Sequence, residues 1–247
     1  MESVLDRVIK QNTENVNLLK TKDYNIFSVL QIQSKEVLIC RMIADLLNPR
    51  GQHGAGAEYL KIFLRDCLGM EKMDTKLEDQ AIVTAEYAID DERRIDIVIE
   101  IGSYFLPVEV KIYAADQKSQ CFDYYQYAKR RDAQAKVYYL TLDGHRPGKD
   151  STSSGSQSVP EEDIVCLSFR EHILNWLKAC KSCENTGMVP ILEQFIRNIE
   201  QISGYTSERV RNMVIDELLT SGDSLRAGMQ IADSINAAKA KRFCSKL

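Results

Sequence analysis

Long apolar runs are missing from this sequence. No segment approaches the roughly 20 consecutive apolar residues of a membrane-spanning helix, so no membrane association is expected. A positive balance is missing too: 32 basic against 36 acidic residues leave a net charge of −4. The chain therefore lacks the global basic field that drives non-specific nucleic-acid binding, and any polyanion must be met by a local patch. Proline and glycine are sparse, five and twelve in 247 residues, and 44% of the chain is hydrophobic, which disfavours disorder and collagen-like repeats. The seven cysteines follow no secreted-domain framework, and the opening MESVLDRVIKQNTENV places acids and amides where a signal peptide needs apolar residues. A cytoplasmic protein with reduced thiols is expected. Cys180 and Cys183 form a lone CxxC without a second Cys/His pair at zinc-site spacing, so a solvated helix end is the better reading.

What is present is a change of hydrophobic period along the chain. From Ser34 to Pro49, Leu38, Met42, Leu46 and Ile39, Ile43, Leu47 recur at helical spacing, with Ser34 suited to the N-cap and Asn48-Pro49 to the stop. A second amphipathic helix follows through Tyr59, Leu60, Phe63, Leu64 and Leu68. Residues 81–89, 93–101 and 104–113 then read as strands, rich in Val, Ile and Tyr. A helix over 115–131 and a strand over 136–142 come next. By composition 143–163 is a flexible loop; a short strand at 164–167 leads to a helix at 170–183, and the chain after Pro190 is helical. The order predicts the α/β class with an α+β mixed sheet. A core over 34–185 is expected between an N-terminal helical segment, 1–33, and a C-terminal helical extension, 186–247, packed on the core. Met213, Ile215, Leu218, Leu219 and the stretch 225–238 are candidates for a homodimer surface.

The strand over 93–101 alternates strictly. Ile95, Ile97, Ile99 and Ile101 face one way, and Arg94, Asp96, Val98 and Glu100 the other. If Gly102-Ser103 is a type II′ turn, glycine first, Asp96 lies opposite Glu109, Ile95 opposite Val110 and Ile97 opposite Val108. Lys111 shares the face of Glu109. Pro107 cannot donate a ladder hydrogen bond and marks an edge or bulge. Two directly opposed carboxylates repel unless a cation sits between them or one is protonated. A hard divalent ion such as Mg2+, which keeps several waters, suits such a pair, and a lysine beside it can hold and deprotonate water or neutralise developing phosphorane charge. The alternative is a solvated sheet face of cross-strand ion pairs.

The helix that follows adds Gln120 and Tyr124, which share one face at i and i+4. Asp96, then Glu109-Val110-Lys111, then Gln120-Cys-Phe-Asp-Tyr124 resembles the D…ExK…QxxxY series of the PD-(D/E)XK nuclease superfamily in its RecB-like branch. Asp45-Leu-Leu-Asn-Pro-Arg-Gly-Gln-His53-Gly54 is similar to one bacterial subgroup. The usual Pro-Asp opening is absent, with Arg93-Arg94-Ile95 before Asp96. The resemblance implies a restriction-endonuclease-like αβββαβ core and a Mg2+-dependent deoxyribonuclease, with Mn2+ substituting, acting on DNA in restriction, repair or phage defence. It also implies site roles: Asp96, Glu109 and the Val110 carbonyl as metal ligands, Glu36 completing the shell, Lys111 on the water, and Gln120 and Tyr124 as catalytic residues that line the cleft and act on substrate rather than metal. His53, Arg94, Lys129, Arg130 and Arg131 are the expected substrate contacts, with Arg93, Lys118, His145, Arg146 and Lys149 as further local cations. The alternative is a catalytically inactive nuclease-fold module that binds nucleic acid or a protein partner.

Overall fold

The computed structural model describes residues 24–70, 75–183, 186–204, 215–216, 218–226 and 228–230. The unit that bears the candidate site runs from Asn25 to Ser203. In chain order it contains α1 (Ile26–Val29), α2 (Glu36–Leu47), α3 (Glu58–Asp66), β1 (Ile82–Ala88), β2 (Arg94–Ile101), β3 (Tyr104–Lys111), α4 (Gln120–Arg131), β4 (Val137–Thr141), β5 (Ile164–Ser168), α5 (Leu174–Cys180) and α6 (Val189–Ile202). The five strands form one sheet in sequential order. β1, β2 and β3 pair antiparallel, whereas β3–β4 and β4–β5 are parallel. Parallel neighbours need a crossover, and α4 supplies it between β3 and β4. From α2 through β4 this is the expected αβββαβ core, a restriction-endonuclease-like mixed sheet.

The unit is wider than the core expected over 34–185. Phe27 of α1 stacks on Phe195 of α6 with ring centroids 5.4 Å apart. Asn25 Nδ2 donates to Gln194 O at 3.0 Å and Asn198 Nδ2 to Gln33 O at 3.0 Å, so boundaries at 33/34 and 185/186 would cut through these contacts. Outside the unit, Ile215, Leu219, Leu225 and Met229 are exposed; Met213, Ala227 and 231–238 of the expected dimer surface lie outside the described residues. Among the described residues no helix is long and apolar enough to cross a membrane.

Several local expectations are corrected. Lys35, not Ser34, stands at the N-cap of α2, without a side-chain cap. Helix α4 starts at Gln120 rather than 115, because Ser119 is left-handed at φ 57 and is tied to the 143–163 segment, its N–H donating to Asp150 O and its hydroxyl to Ser153 O. That segment is not an irregular loop. It carries a helical turn at Lys149–Thr152, a ribbon pairing Ser153–Ser154 with Gln157–Ser158, and a 3-10 turn at Glu161–Asp163. Ser151 Oγ accepts the N–H of Cys121 in the first turn of α4, which satisfies one of the donors that a helix start leaves open. Its Ser, Gly and Pro content signals these turns, and the turns are bonded to the helix.

The β2–β3 hairpin has the expected register from Ile97–Val108 through Val98–Pro107 to Ile101–Tyr104, and the ladder stops short of the expected Asp96–Glu109 and Ile95–Val110 pairs. Gly102 adopts φ 57, which the first central position of a type II′ turn demands and which glycine meets without strain. Pro107 marks neither an edge nor a bulge. β3 is central, its register does not slip, and its ladder with β4 starts only at Val108. On the face beneath α4, Val98, Phe105, Val137 and Tyr139 pack with Cys121, Phe122, Tyr124 and Ala128. Each such large buried side chain contributes about 1.5–3 kcal/mol through burial.

The expected alternation of β2 fails at one place. Ile95 joins Val98 in the α4 cluster, although an odd separation puts residues of a regular strand on opposite faces. On β1, Ala85 pairs with Ile97 and Tyr87 with Ile95, but Glu86 and Asp96 between them do not pair. Glu86 is left-handed there, at φ 53.

Candidate active site

The hairpin register and the N-terminus of α2 bring four charged side chains to the end of β3. Asp96 Oδ2 accepts the N–H of Val110 at 2.7 Å. Lys111 Nζ lies 2.5 Å from Glu109 Oε1. Glu36, in the first turn of α2, reaches across so that its Oε2 accepts the N–H of Ile112 at 2.8 Å. The exposures of Glu109 and Lys111 are only 1% and 7%, so this is no solvated sheet face. Asp96, Glu109, Lys111 and Glu36 converge as the sequence suggested, and the Val110 amide takes part in holding Asp96.

The electrostatics follow from burial. Desolvation raises the Glu109 carboxyl well above the usual range, the Asp96 charge adds to it, and Lys111 opposes both. Desolvation also raises Asp96, against the Val110 N–H and Lys111. Burial alone would lower Lys111, but the charges of Glu109, Asp96 and Glu36 outweigh it and hold the ammonium more firmly than usual. Beneath them the thiol of Cys40 is pushed far up by burial and by the Asp96, Glu36, Glu109 and Glu86 charges. Glu109 Oε2 is buried without a hydrogen-bond partner. A buried carboxylate oxygen left open beside a second carboxylate is costly unless a cation meets it or the two carboxyls share a proton, as the raised Glu109 carboxyl allows. Among the described residues no cage of three or more His, Cys, Asp or Glu side chains is placed to hold a metal ion. Mg2+ needs no such cage, since one or two carboxylates with water suffice, and Asp96 and Glu109 fit that requirement.

Gln120 and Tyr124 are buried beside this site. Tyr124 OH donates to Arg94 O at 2.5 Å and receives the Gln120 Nε2 donor at 3.1 Å, so the pair grips the backbone of β2 two residues from Asp96. The Arg94 side chain is exposed. Arg93 is engaged by Asp123 Oδ2 at 3.0 Å, Gln117 Oε1 and Lys118 O.

The remaining expected contacts are not brought to the site. His53 is buried; its Nε2 meets Asn48 O at 2.9 Å, its Nδ1 accepts the Ala55 N–H, and its ring stacks on Tyr59. Through these contacts the ring locks the turn after α2. Lys129 pairs with Asp163 at 3.1 Å and Arg131 with Glu100 at 2.6 Å. With Arg130 they sit at the far end of α4, roughly 16 Å along the axis from Gln120 at 1.5 Å per residue.

Two neighbours escaped the sequence reading. Tyr139 faces Glu109 across the β3–β4 ladder, and its hydroxyl donates to Asp116 Oδ1 at 2.6 Å. Asp116 Oδ2 accepts the Gly148 N–H at 2.7 Å, tying the connection before α4 to the 143–163 segment. The parallel register placing Tyr139 beside Glu109 depends on a crossover whose length leaves no mark in the residue pattern.

A family model for the PD-(D/E)XK nuclease superfamily matches residues 24–198. The chain belongs to that superfamily. The match covers nearly all of the compact unit, from two residues before α1 into α6, and includes every side chain gathered at the end of β3. Superfamily members are nucleases that generally use divalent metals such as Mg2+, which accords with the open Glu109 oxygen. No match was found among curated proteins or among solved structures.

Proposed function

We propose that this chain is a Mg2+-dependent nuclease of the RecB-like branch, with Mn2+ able to substitute, that hydrolyses DNA phosphodiester bonds in the cytoplasm in restriction, repair or phage defence. The observation that carries this reading is the buried, unpartnered Glu109 Oε2 beside Asp96, with Lys111 on the other Glu109 oxygen. Asp96 and Glu109 would hold the metal, with the Val110 carbonyl as a further oxygen and Glu36 at the margin of the shell. A bound divalent ion supplies charge neutralisation at the phosphoryl oxygens and acidifies water. Lys111, kept as an ammonium by its carboxylate neighbours, is placed to stabilise charge that develops on the scissile phosphate, and the exposed Arg94 is the local cation offered to the polyanion. Of the two roles open to Lys111, this one suits its environment better than proton abstraction.

The test is incubation of the purified chain with Mg2+ or Mn2+ and linear duplex, circular duplex and single-stranded DNA. Cleavage that requires the metal and disappears in Asp96→Ala supports the reading. Metal-independent cleavage, or binding without turnover on every substrate, would replace it with the inactive-module alternative. Gln120 and Tyr124 support the site through β2. Tyr124→Phe, which removes the bond to Arg94 O, is therefore expected to cost about 1 kcal/mol of stability and to lower kcat on the order of tenfold with KM for DNA unchanged. A rise in KM at constant kcat would instead place the phenol on the substrate.

A further inference from the structure

The geometry points to Glu86, on a strand that contributes no ligand, as the positioning residue for Asp96: its left-handed backbone opens the β1–β2 ladder opposite Asp96 and lets that carboxylate turn onto β3. The inference rests on the reading of Asp96 as a metal ligand.

Three independent features meet at this point. The ladder pairs Ala85 with Ile97 and Tyr87 with Ile95 in one unbroken register, yet omits Glu86 and Asp96. Because the register is the same on both sides, no residue has been inserted, and the opening is a local twist rather than a bulge. Glu86 has φ 53, a region that side chains other than Asn, Asp and Gly seldom adopt and that is unusual inside a strand. Ile95 leaves the alternation and packs with Val98 under α4.

The consequence appears at Asp96. A strand side chain normally stands perpendicular to the sheet. Here Asp96 Oδ2 lies against the β3 backbone and takes the N–H of Val110, just beyond Ile97–Val108, where the β2–β3 ladder ends. The strained residue is held from both sides. Arg41 Nη2 and Nε both donate to Glu86 Oε2, at 2.6 and 3.0 Å, and Arg41 belongs to the helix that presents Glu36. The next residue, Tyr87, packs edge-on against Phe105 and bonds the Tyr127 hydroxyl. Strain of this kind persists only where the surroundings enforce it, and it concentrates at functional sites.

The test separates the backbone from the carboxylate. Glu86→Gly, Glu86→Asn, Glu86→Ala and Glu86→Val are made in the full chain, with thermal melts to confirm folding, and each is titrated with Mn2+ by calorimetry and assayed on linear duplex DNA. Gly and Asn accept the left-handed region, Ala resists it, and a β-branched side chain resists it most. Gly and Asn are therefore expected within about twofold of wild type in Mn2+ affinity and kcat, Ala weaker, and Val weaker by roughly tenfold or more, with KM constant throughout. If Val does not fold, the Ala step carries the ranking. Val equal to wild type would overturn the proposal, and so would Gly as impaired as Val, which would move the role to the Arg41-bound carboxylate. A wild type that binds Mn2+ but cleaves nothing refutes the nuclease reading alone, because the affinity ranking still reports on Asp96. A wild type that binds no Mn2+ overturns both.

Discussion

Glu109→Gln is expected to abolish metal-dependent cleavage and, in the presence of a chelator, to raise the melting temperature. The two effects have one cause. Glu109 is buried beside Asp96 with one oxygen unpartnered, and burial together with the Asp96 charge raises its carboxyl well above the usual range. A carboxyl whose folded-state pKa is raised favours the fold while protonated and loses that contribution as pH climbs from the ordinary glutamate range through the raised folded value. Glutamine resembles the protonated form at every pH. The gain should therefore be greatest at alkaline pH and shrink as pH falls toward the ordinary glutamate range. Lys111 loses its closest partner, which offsets part of the benefit, but Asp96 and Glu36 remain near it. A net gain of about 1–2 kcal/mol is expected, or roughly 2–8 °C for a domain of this size. Differential scanning calorimetry in chelator across this pH range measures it. A melting temperature that drops at alkaline pH would show that the Lys111 pair outweighs the cost of the buried charge.

Lys111→Ala is expected to lower kcat by about a hundredfold to a thousandfold, the scale on which removing one preorganised charge donor acts at a developing oxyanion. Mn2+ affinity should hold or tighten, since the substitution takes a competing cation away from Glu109. The melting temperature in chelator should fall, because Glu109 loses its 2.5 Å partner and carries its buried charge only at greater cost, and saturating Mn2+ should recover much of the loss by binding the folded state. Lys111→Arg should not restore turnover, as a planar guanidinium cannot take the place of a compact ammonium in so enclosed a position. Single-turnover kinetics at saturating Mn2+ provide the check. Turnover within a few-fold of wild type would remove Lys111 from the chemistry.

Much of the site was legible because it is built from neighbours in the chain. The spacing of Asp96, Gly102-Ser103, Glu109 and Lys111 encodes a hairpin, and a hairpin has few registers, so their convergence could be read directly. Glu36 was legible only through family resemblance, since its approach to Ile112 spans the sheet. Residues whose roles depend on packing were misread or unread. His53, in a glycine-rich turn, has the composition of a ligand and the surroundings of a core residue. Lys129 and Arg131 stand as basic residues at a helix end, and nothing local reveals that Asp163 and Glu100 already pair with them. The 143–163 segment has the composition of a loose loop, while its order comes from the α4 backbone it caps. Glu86 had no signal, because left-handed strand residues are usually betrayed by glycine or asparagine and here a glutamate is held in place by Arg41.

The two-residue turn at Gly102-Ser103 has an arithmetic consequence. Side chains along paired strands change face at every step, so lengthening the β2–β3 ladder between the turn and Ile97–Val108 without a bulge keeps the two carboxylates in their present relation only when both strands grow equally. Each added rung contributes one residue to either strand. The count of residues between the two acids can therefore grow or shrink only by even numbers, a parity rule that the chemistry of this site imposes on one short stretch of its gene.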